Sequence, residues 1–150
     1  MRLTKASDYA VRCVYYLAEQ GKDTIVNRKA ISDEMRVPHA FLGKIAQQLS
    51  RAGILEIVQG PKGGLKLITS IENINLLEVI EAITGEIFLN DCILNPSSCF
   101  RSSTCSIHVV WENARDNFRK ILKNATFAKL IEEGTCMKSL MIDHAVSSDE

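Results

Sequence analysis

Cys92, Cys99 and Cys105 follow one another as C-x6-C-x5-C, and His108 adds a C-x2-H step after the last of them. Thiolate and imidazole are the common protein donors to soft and borderline metals, and an irregular segment can fold several of them onto one centre. Cys105 stands at the expected start of a helix, where the helix dipole favours the thiolate. A tetrahedral zinc ion on three cysteines and His108 is chemically sound. Structural zinc sites favour cysteines two to four residues apart, however, so these wider steps suit a bulkier metal cluster better. The plain alternative is three unrelated thiols in a loop, but exposed free thiols are an oxidation liability. Cys13 falls on an apolar helical stripe and reads as a small core residue, and Cys136, in the tail, has no evident partner.

The elements that must position these donors follow from periodicity. Residues 86–104 lose any regular pattern and contain Asn-Pro, two Ser-Ser pairs and two of the cysteines, which reads as one long loop. Before it, Asn73 or Asn75 can cap an amphipathic helix over Leu76, Leu77, Val79, Ile80 and Ile83 that stops at Gly85. After it, Ile107, Trp111, Ala114, Phe118, Ile121 and Ala125 recur at steps of four and three, a heptad-like seam about 30 Å long. A chain of 150 residues would struggle to cover that seam alone, so homodimerisation through it is the economical reading. The alternative is a helix packed on its own domain. Thr126 can cap a short final helix through Phe127, Leu130 and Ile131, with a mobile tail after Gly134.

The first half has a different pattern. Ala6 to Glu19 carries Ala6, Tyr9, Ala10, Cys13, Val14 and Leu17 at helical spacing, and Gly21 supplies the stop. A short extended piece, Thr24 to Val26, precedes Asn27, which stands as N-cap for a helix through Ala30, Ile31 and Met35. Pro38 suits the first turn of a third helix with Phe41, Leu42, Ile45 and Leu49 on one face, ending at Gly53. Two such helices joined by a tight Arg36-Val37 connection have the dimensions of a helix-turn-helix. Ile54–Val58, a glycine-proline turn and Leu65–Thr69 then form a β-hairpin, the position of a wing. The expected fold class is mainly α with a small β-hairpin wing: a winged helix-turn-helix plus a long dimerisation helix. Residues 1–70 would bind DNA, residues 71–134 would hold the cluster loop and dimer helices, and residues 135–150 would form a flexible tail.

A recognition helix meets base edges near its N-terminus while flanking basic groups hold phosphates. Pro38, His39, Ala40 and Phe41 occupy that N-terminus, with Lys44 one turn on. His39 can donate to or accept from a base, Ala40 and Phe41 can meet a thymine methyl, and Lys44 can reach guanine or a phosphate. Arg2, Lys5, Arg28, Lys29 and Arg51 are phosphate candidates, and Gln59 and Lys62 belong to the wing. Against this, basic side chains on helices are more often solvated charges than phosphate ligands. The glycines around Pro61 lack the Lys-Ser/Thr ending of a phosphate-cradling loop, so a nucleotide site there is improbable.

Composition bounds the rest. The hydrophobic share of 46% and charged share of 24% describe an ordinary globular chain. Eighteen basic and eighteen acidic residues cancel, yet residues 1–70 carry 11 Lys/Arg against 6 Asp/Glu, net +5, and residues 71–150 carry 7 against 12, net −5. No apolar run spans a membrane and no secretory signal opens the chain, so a cytoplasmic protein with reduced thiols and no membrane partner is expected. No G-x-S-x-G, C-x-x-C, H-E-x-x-H or Rossmann glycine pattern supports an enzyme. The competing readings are a zinc-stabilised DNA-binding protein without sensing and a small metal-dependent redox protein.

Taken together, Met1-Arg2-Leu3-Thr4, Asp8-Tyr9-Ala10-Val11-Arg12, Leu49-Ser50-Arg51-Ala52-Gly53, Gly60-Pro61-Lys62-Gly63-Gly64, the three cysteines and Cys105-Ser106-Ile107-His108-Val109-Val110-Trp111 form a specific pattern. The chain resembles, over residues 1–134, the iron-sulfur regulators of the IscR, NsrR and RirA type. The resemblance implies a homodimeric transcription regulator, reading a double-stranded DNA operator, with an iron-sulfur cluster on Cys92, Cys99, Cys105 and one further ligand. In the IscR type that ligand is a histidine at the place of His108 and the cluster is [2Fe-2S]. In the NsrR type it is an aspartate of the partner subunit at the place of Asp8 and the cluster is [4Fe-4S]. Both residues are present, and Asp8 is slightly favoured because it would tie one subunit's DNA-binding half to the other's cluster loop. Two departures stand out: the first cysteine gap is six residues where IscR has five, and Gln59 replaces an arginine of the IscR wing.

Overall fold

The computed structural model describes residues 3–134. Arg2, proposed as a phosphate ligand, and the tail with Cys136 lie outside that range. Helix α1, Lys5–Gln20, starts at Thr4, whose Oγ1 accepts the Ser7 N–H at 3.1 Å, and ends at Gly21 with φ +94°. Its Ala10, Cys13, Val14, Leu17 and Ala18 stripe is buried, and Leu42, Ile45, Leu65, Val79 and Phe127 join the same core.

Asn27 caps α2, Arg28–Met35, through its side-chain oxygen, which accepts the Lys29 N–H at 2.7 Å. The turn that follows is set by Arg36 in the left-handed region, φ 51°, and by Ser32, whose hydroxyl donates to the Val37 carbonyl at 2.7 Å. Helix α3, His39–Arg51, begins one residue later than expected: Pro38 is its N-cap, with ψ 131°, rather than its first helical residue. Strands β1, Leu55–Val58, and β2, Gly64–Leu67, pair antiparallel from Leu55 with Leu67 to Val58 with Gly64. Both are shorter than their apolar runs. Val26 bridges to Leu65 outside the two strands, so the wing is anchored to the segment leading into α2. A side chain at Gly64 would overlap the Val26 carbonyl, which fixes glycine at this crossing.

Helix α4, Leu76–Thr84, is capped by Asn75, not Asn73, with the Asn75 oxygen accepting the Glu78 N–H at 3.1 Å. Residues 86–104 are not one open loop. They contain a one-turn helix α5, Asp91–Leu94, capped by Asn90, and 3-10 turns at Pro96–Ser98 and Ser102–Thr104. The periodicity that would reveal a helix needs more than one turn, and these pieces are too short to show it. Helix α6, Ser106–Asn124, follows, and Thr126 caps α7, Phe127–Glu133.

The charge boundary near residue 70 is not a boundary in the core. Ile74, Val79 and Phe127 share one apolar cluster with α1, α3 and the wing. Phe127 is fully buried and its N–H donates to the Ile74 carbonyl at 3.0 Å. Helix α6, the longest, differs from every other α-helix among the described residues in having no buried residue. Phe118 and Leu122 lean on Leu77, Ile80 and Ile87, while Ile107, Val110 and Ile121 are 59, 60 and 67% exposed. The expected seam therefore divides: Phe118 faces the chain's own body, and Ile107, Trp111, Ala114 and Ile121 face outward. Replacing Phe127 by Ala should cost about 3–5 kcal/mol in denaturant unfolding, since it empties a site closed by α1 and α7. A loss below about 1 kcal/mol would show that α7 does not close the core.

Candidate functional site

The exposed side of α3 faces away from Leu42, Ile45, Ala46 and Leu49, which are buried. His39, Ala40, Lys44, Gln47 and Arg51 are exposed on it. His39 also lines a groove of about 340 Å³ with Arg28 and Lys29 of α2 and Gln59, Gly60 and Gly63 of the wing turn. Four residues nominated from distant parts of the sequence thus share one concavity. Its width is held by the short path from Asn27 into α2 and by the Val26–Leu65 bridge beneath it.

Electrostatics distinguish the members. Lys29 donates to Asp33 at 2.8 Å, and this hydrogen bond, with the carboxylate's charge, holds the Lys29 ammonium above its usual pKa. Its charge is secure but partly answered. Lys5, Arg28, Lys44, Arg51 and Lys62 have no ion pair among the described residues, whereas Arg115 and Arg119 of α6 are engaged by glutamates. Lys62 is exposed at the wing tip, and Arg51 lies in the last turn of α3, about 18 Å along the axis from His39. Lys5 sits between Thr4 and Ala6, which line a cleft with Phe41 and Lys44. Phe41 is 48% exposed, and its ring meets Tyr9 of α1 edge-on with centroids 5.6 Å apart, one residue after Ala40 at the helix start.

The thiol-bearing segment forms a second centre. Cys92 lies in α5, Cys99 ends the first 3-10 turn and Cys105 is the N-cap of α6; all three are half-buried, free thiols. His108 follows one turn into α6, its N–H donating to the Cys105 carbonyl at 3.1 Å. Its Nε2 lies 3.4 Å from a Glu112 carboxylate oxygen, and its Nδ1 is buried with no hydrogen-bond partner. Ser102 Oγ is the other buried side-chain atom without a partner among the described residues. Both orphans therefore fall inside the cysteine segment. No three His, Cys, Asp or Glu side chains among the described residues stand together as a single-ion site. Asp8, in the first turn of α1, pairs with Arg12 at 2.8 Å, and Arg12 also donates to the Met35 carbonyl at 3.4 Å.

The sequence profile of the Rrf2 family, described as "Iron-dependent Transcriptional regulator", matches residues 3–133. The chain belongs to the Rrf2 family. The HTH-type transcriptional regulator NsrR of Shouchella clausii is 27% identical over 142 residues, spanning 94% of this chain and 95% of that one. The solved structure of IscR from T. potens shares the fold with a TM-score of 0.72 at 18% identity, covering 90% of this chain and 89% of its own. CymR, titled the global cysteine regulator of B. subtilis, also superposes with a TM-score of 0.72 at 18% identity, over 90% and 99% of the two chains. This Rrf2 chain is accordingly a winged-helix, DNA-binding transcriptional regulator, and members of the family are not enzymes. Among the described residues no helix is long and apolar enough to cross a membrane.

Sequence reasoning passed over Gln47, which lies two turns beyond His39 on the same side of α3. The i, i+4, i+8 spacing from His39 was the available signal. The Rrf2 core treats its cysteines unequally: burial pushes the Cys13 thiol up to about 12, while the three segment thiols are accessible. Iodoacetamide at pH 8 should therefore modify Cys92, Cys99 and Cys105 in the folded apoprotein and reach Cys13 only after denaturation, as read by peptide mass mapping. Early labelling of Cys13 would contradict the packing of α1.

Proposed function

We propose that this Rrf2-family regulator binds a double-stranded operator as a homodimer, carries an iron-sulfur cluster on Cys92, Cys99 and Cys105, and represses transcription according to the state of that cluster. Residues 1–70 read DNA, and residues 71–134 carry the cluster and the dimer contact. The observation that carries this reading is the pair of buried, unpartnered polar atoms, His108 Nδ1 and Ser102 Oγ, inside a segment holding three free thiols. Buried polar atoms are ordinarily satisfied, so two orphans in one short segment support the reading that a further group is held there.

The donor set fits the group. Three thiolates and an imidazole suit iron, and half-burial limits solvent access without closing it. When bound, the cluster supplies iron and sulfide reactive toward nitric oxide and oxidants and dependent on iron supply. The chain's own residues do the rest. His108 is the fourth donor available within the chain, because its Nδ1 has no competing partner. Asp8 of a partner subunit is the second reading, favoured by an open depression around Leu3, Thr4, Lys5 and Asp8 and by the NsrR relatives. For Asp8 to serve, it must leave Arg12, which also holds the end of α2 through the Met35 carbonyl.

Gathering three separated thiols requires residues 92–108 to move, and that motion has a path to α3. Arg119 of α6 pairs with Glu81 of α4 and lies 3.8 Å from Glu86, and Glu81 also accepts the Ile87 N–H at 2.8 Å. From α4, the Ile83 carbonyl accepts the Gln48 side chain of α3 at 3.4 Å. A shift at the start of α6 can thus change the spacing of two recognition helices across a dimer, with coupling of ~1–3 kcal/mol typical of such devices. The outward Ile107, Trp111 and Ile121 supply the apolar surface for the dimer.

Anaerobic purification with visible absorption and analysis for iron, sulfide and zinc should give a coloured protein with iron and acid-labile sulfide. One stoichiometric zinc and no colour would favour the zinc-stabilised reading. Operator affinity at fixed salt should differ between cluster-loaded and apo protein by about 5-fold or more, and equal affinities would remove the sensing role while leaving DNA binding intact. His108→Ala should lose the cluster during anaerobic desalting while Asp8→Ala retains it, and the reverse pattern would assign Asp8. Ile107→Glu combined with Ile121→Glu should sediment as a folded monomer, and an unchanged dimer would place the interface elsewhere.

A further inference from the structure

Gly43 lies in the middle of α3, where glycine is the poorest helix former apart from proline. The other glycines of the chain have a structural reason. Five adopt positive φ, and side chains at Gly63 and Gly64 would overlap the Val58 and Val26 carbonyls. Gly43 has neither: its φ is not positive, and a Cβ built on it meets nothing within 4 Å. Neither backbone conformation nor close packing within the chain asks for glycine there, and the space beside its α-carbon is open.

Gly43 is one turn beyond the exposed His39 and one turn before the exposed Gln47, and, half-buried on the flank of α3, it neighbours the exposed Ala40 at i−3. Two polar, hydrogen-bonding side chains thus bracket a notch whose floor is the Gly43 α-carbon and whose wall is the Ala40 methyl. The Phe41 ring is turned onto Tyr9, and no atom lies within 4 Å of a Cβ built at Gly43 beyond its chain neighbours and its own helix backbone. In the major groove the apolar group that projects from a base edge is the 5-methyl of thymine. We propose that the Ala40–Gly43 notch seats a thymine methyl, so that the missing side chain at 43 helps specify an A·T pair while His39 and Gln47 contact its neighbours. This rests on α3 being the helix that enters the groove.

The test moves one methyl between protein and DNA. A duplex is first selected from a randomised pool by the unmodified protein, and each thymine is then replaced singly by uracil, which removes only the methyl. Gly43→Ala should raise the thermal midpoint by about 3 °C, because alanine is the better helix former. It should keep the same sedimentation behaviour, weaken binding to the selected duplex roughly tenfold, and regain most of that loss on one uracil-substituted duplex. Affinity within twofold of the unmodified protein, an equal loss on every uracil duplex, or a changed oligomeric state would overturn the notch. His39→Ala and Lys44→Ala test the underlying reading: if both bind the selected duplex normally, α3 is not in the groove and the notch falls with it. If they weaken binding while Gly43→Ala does not, the notch alone is wrong.

Discussion

The structure is organised around burial of a single stripe of α1. Ala10, Cys13, Val14 and Leu17 are at most 1% exposed, and α3, the wing, α4 and α7 all contribute to the cluster that covers them. Each fully buried Val or Leu contributes roughly 1.5–3 kcal/mol, and the α3 stripe of Leu42, Ile45, Ala46 and Leu49, buried to the same degree, belongs to the same cluster. The consequence is mechanical. Helices α3 and α4 both rest on this rod and on each other, and neither can shift without repacking against it.

Around that rod the two halves are attached in different ways. The wing and α3 are fixed by apolar burial and by backbone crossings too close for side chains. Helix α6 is held by a rim of Phe118 and Leu122 and by the arginine–glutamate pairs, which are only partly buried. Such pairs are individually weak and screened by salt. The separation of charge follows the same line: Lys5, Arg28, Lys44, Arg51 and Lys62 of the basic half have no ion pair among the described residues, while Arg115 and Arg119 of α6 are answered by glutamates of the acidic half. Net neutrality of the whole chain hides a basic half, and in the proposed operator complex phosphate contacts through it would weaken as salt rises.

Most of the fold was legible because its signals are local. Asn27, Thr126 and the glycine-proline turn have fixed stereochemical uses, and helical periodicity over four or more turns cannot easily mean anything else. Pro38 was read one position too deep, since proline is acceptable both at and just before the first helical residue. The segment from 86 to 104 looked structureless because its helices are a single turn each. The groove was half legible: the residue types were visible, but that Arg28, His39 and Gln59 share one concavity depends on a β-bridge between Val26 and Leu65 that no local pattern announces. The orphaned nitrogen of His108 was invisible, because hydrogen-bond satisfaction is a property of the assembled surroundings.

Helix α6 buries no residue completely within one chain, whereas α1 buries six. In a homodimer built on its outward face, the helix gains its missing packing from a second molecule, and its stability becomes a function of protein concentration. Newly made chains would then complete the core around α1 first and gain the remaining packing of α6 on meeting a partner. A cell could set how much regulator is competent through synthesis rate alone, before any signal arrives. Autoregulation of such a gene would act on the folding of its product as well as on its amount.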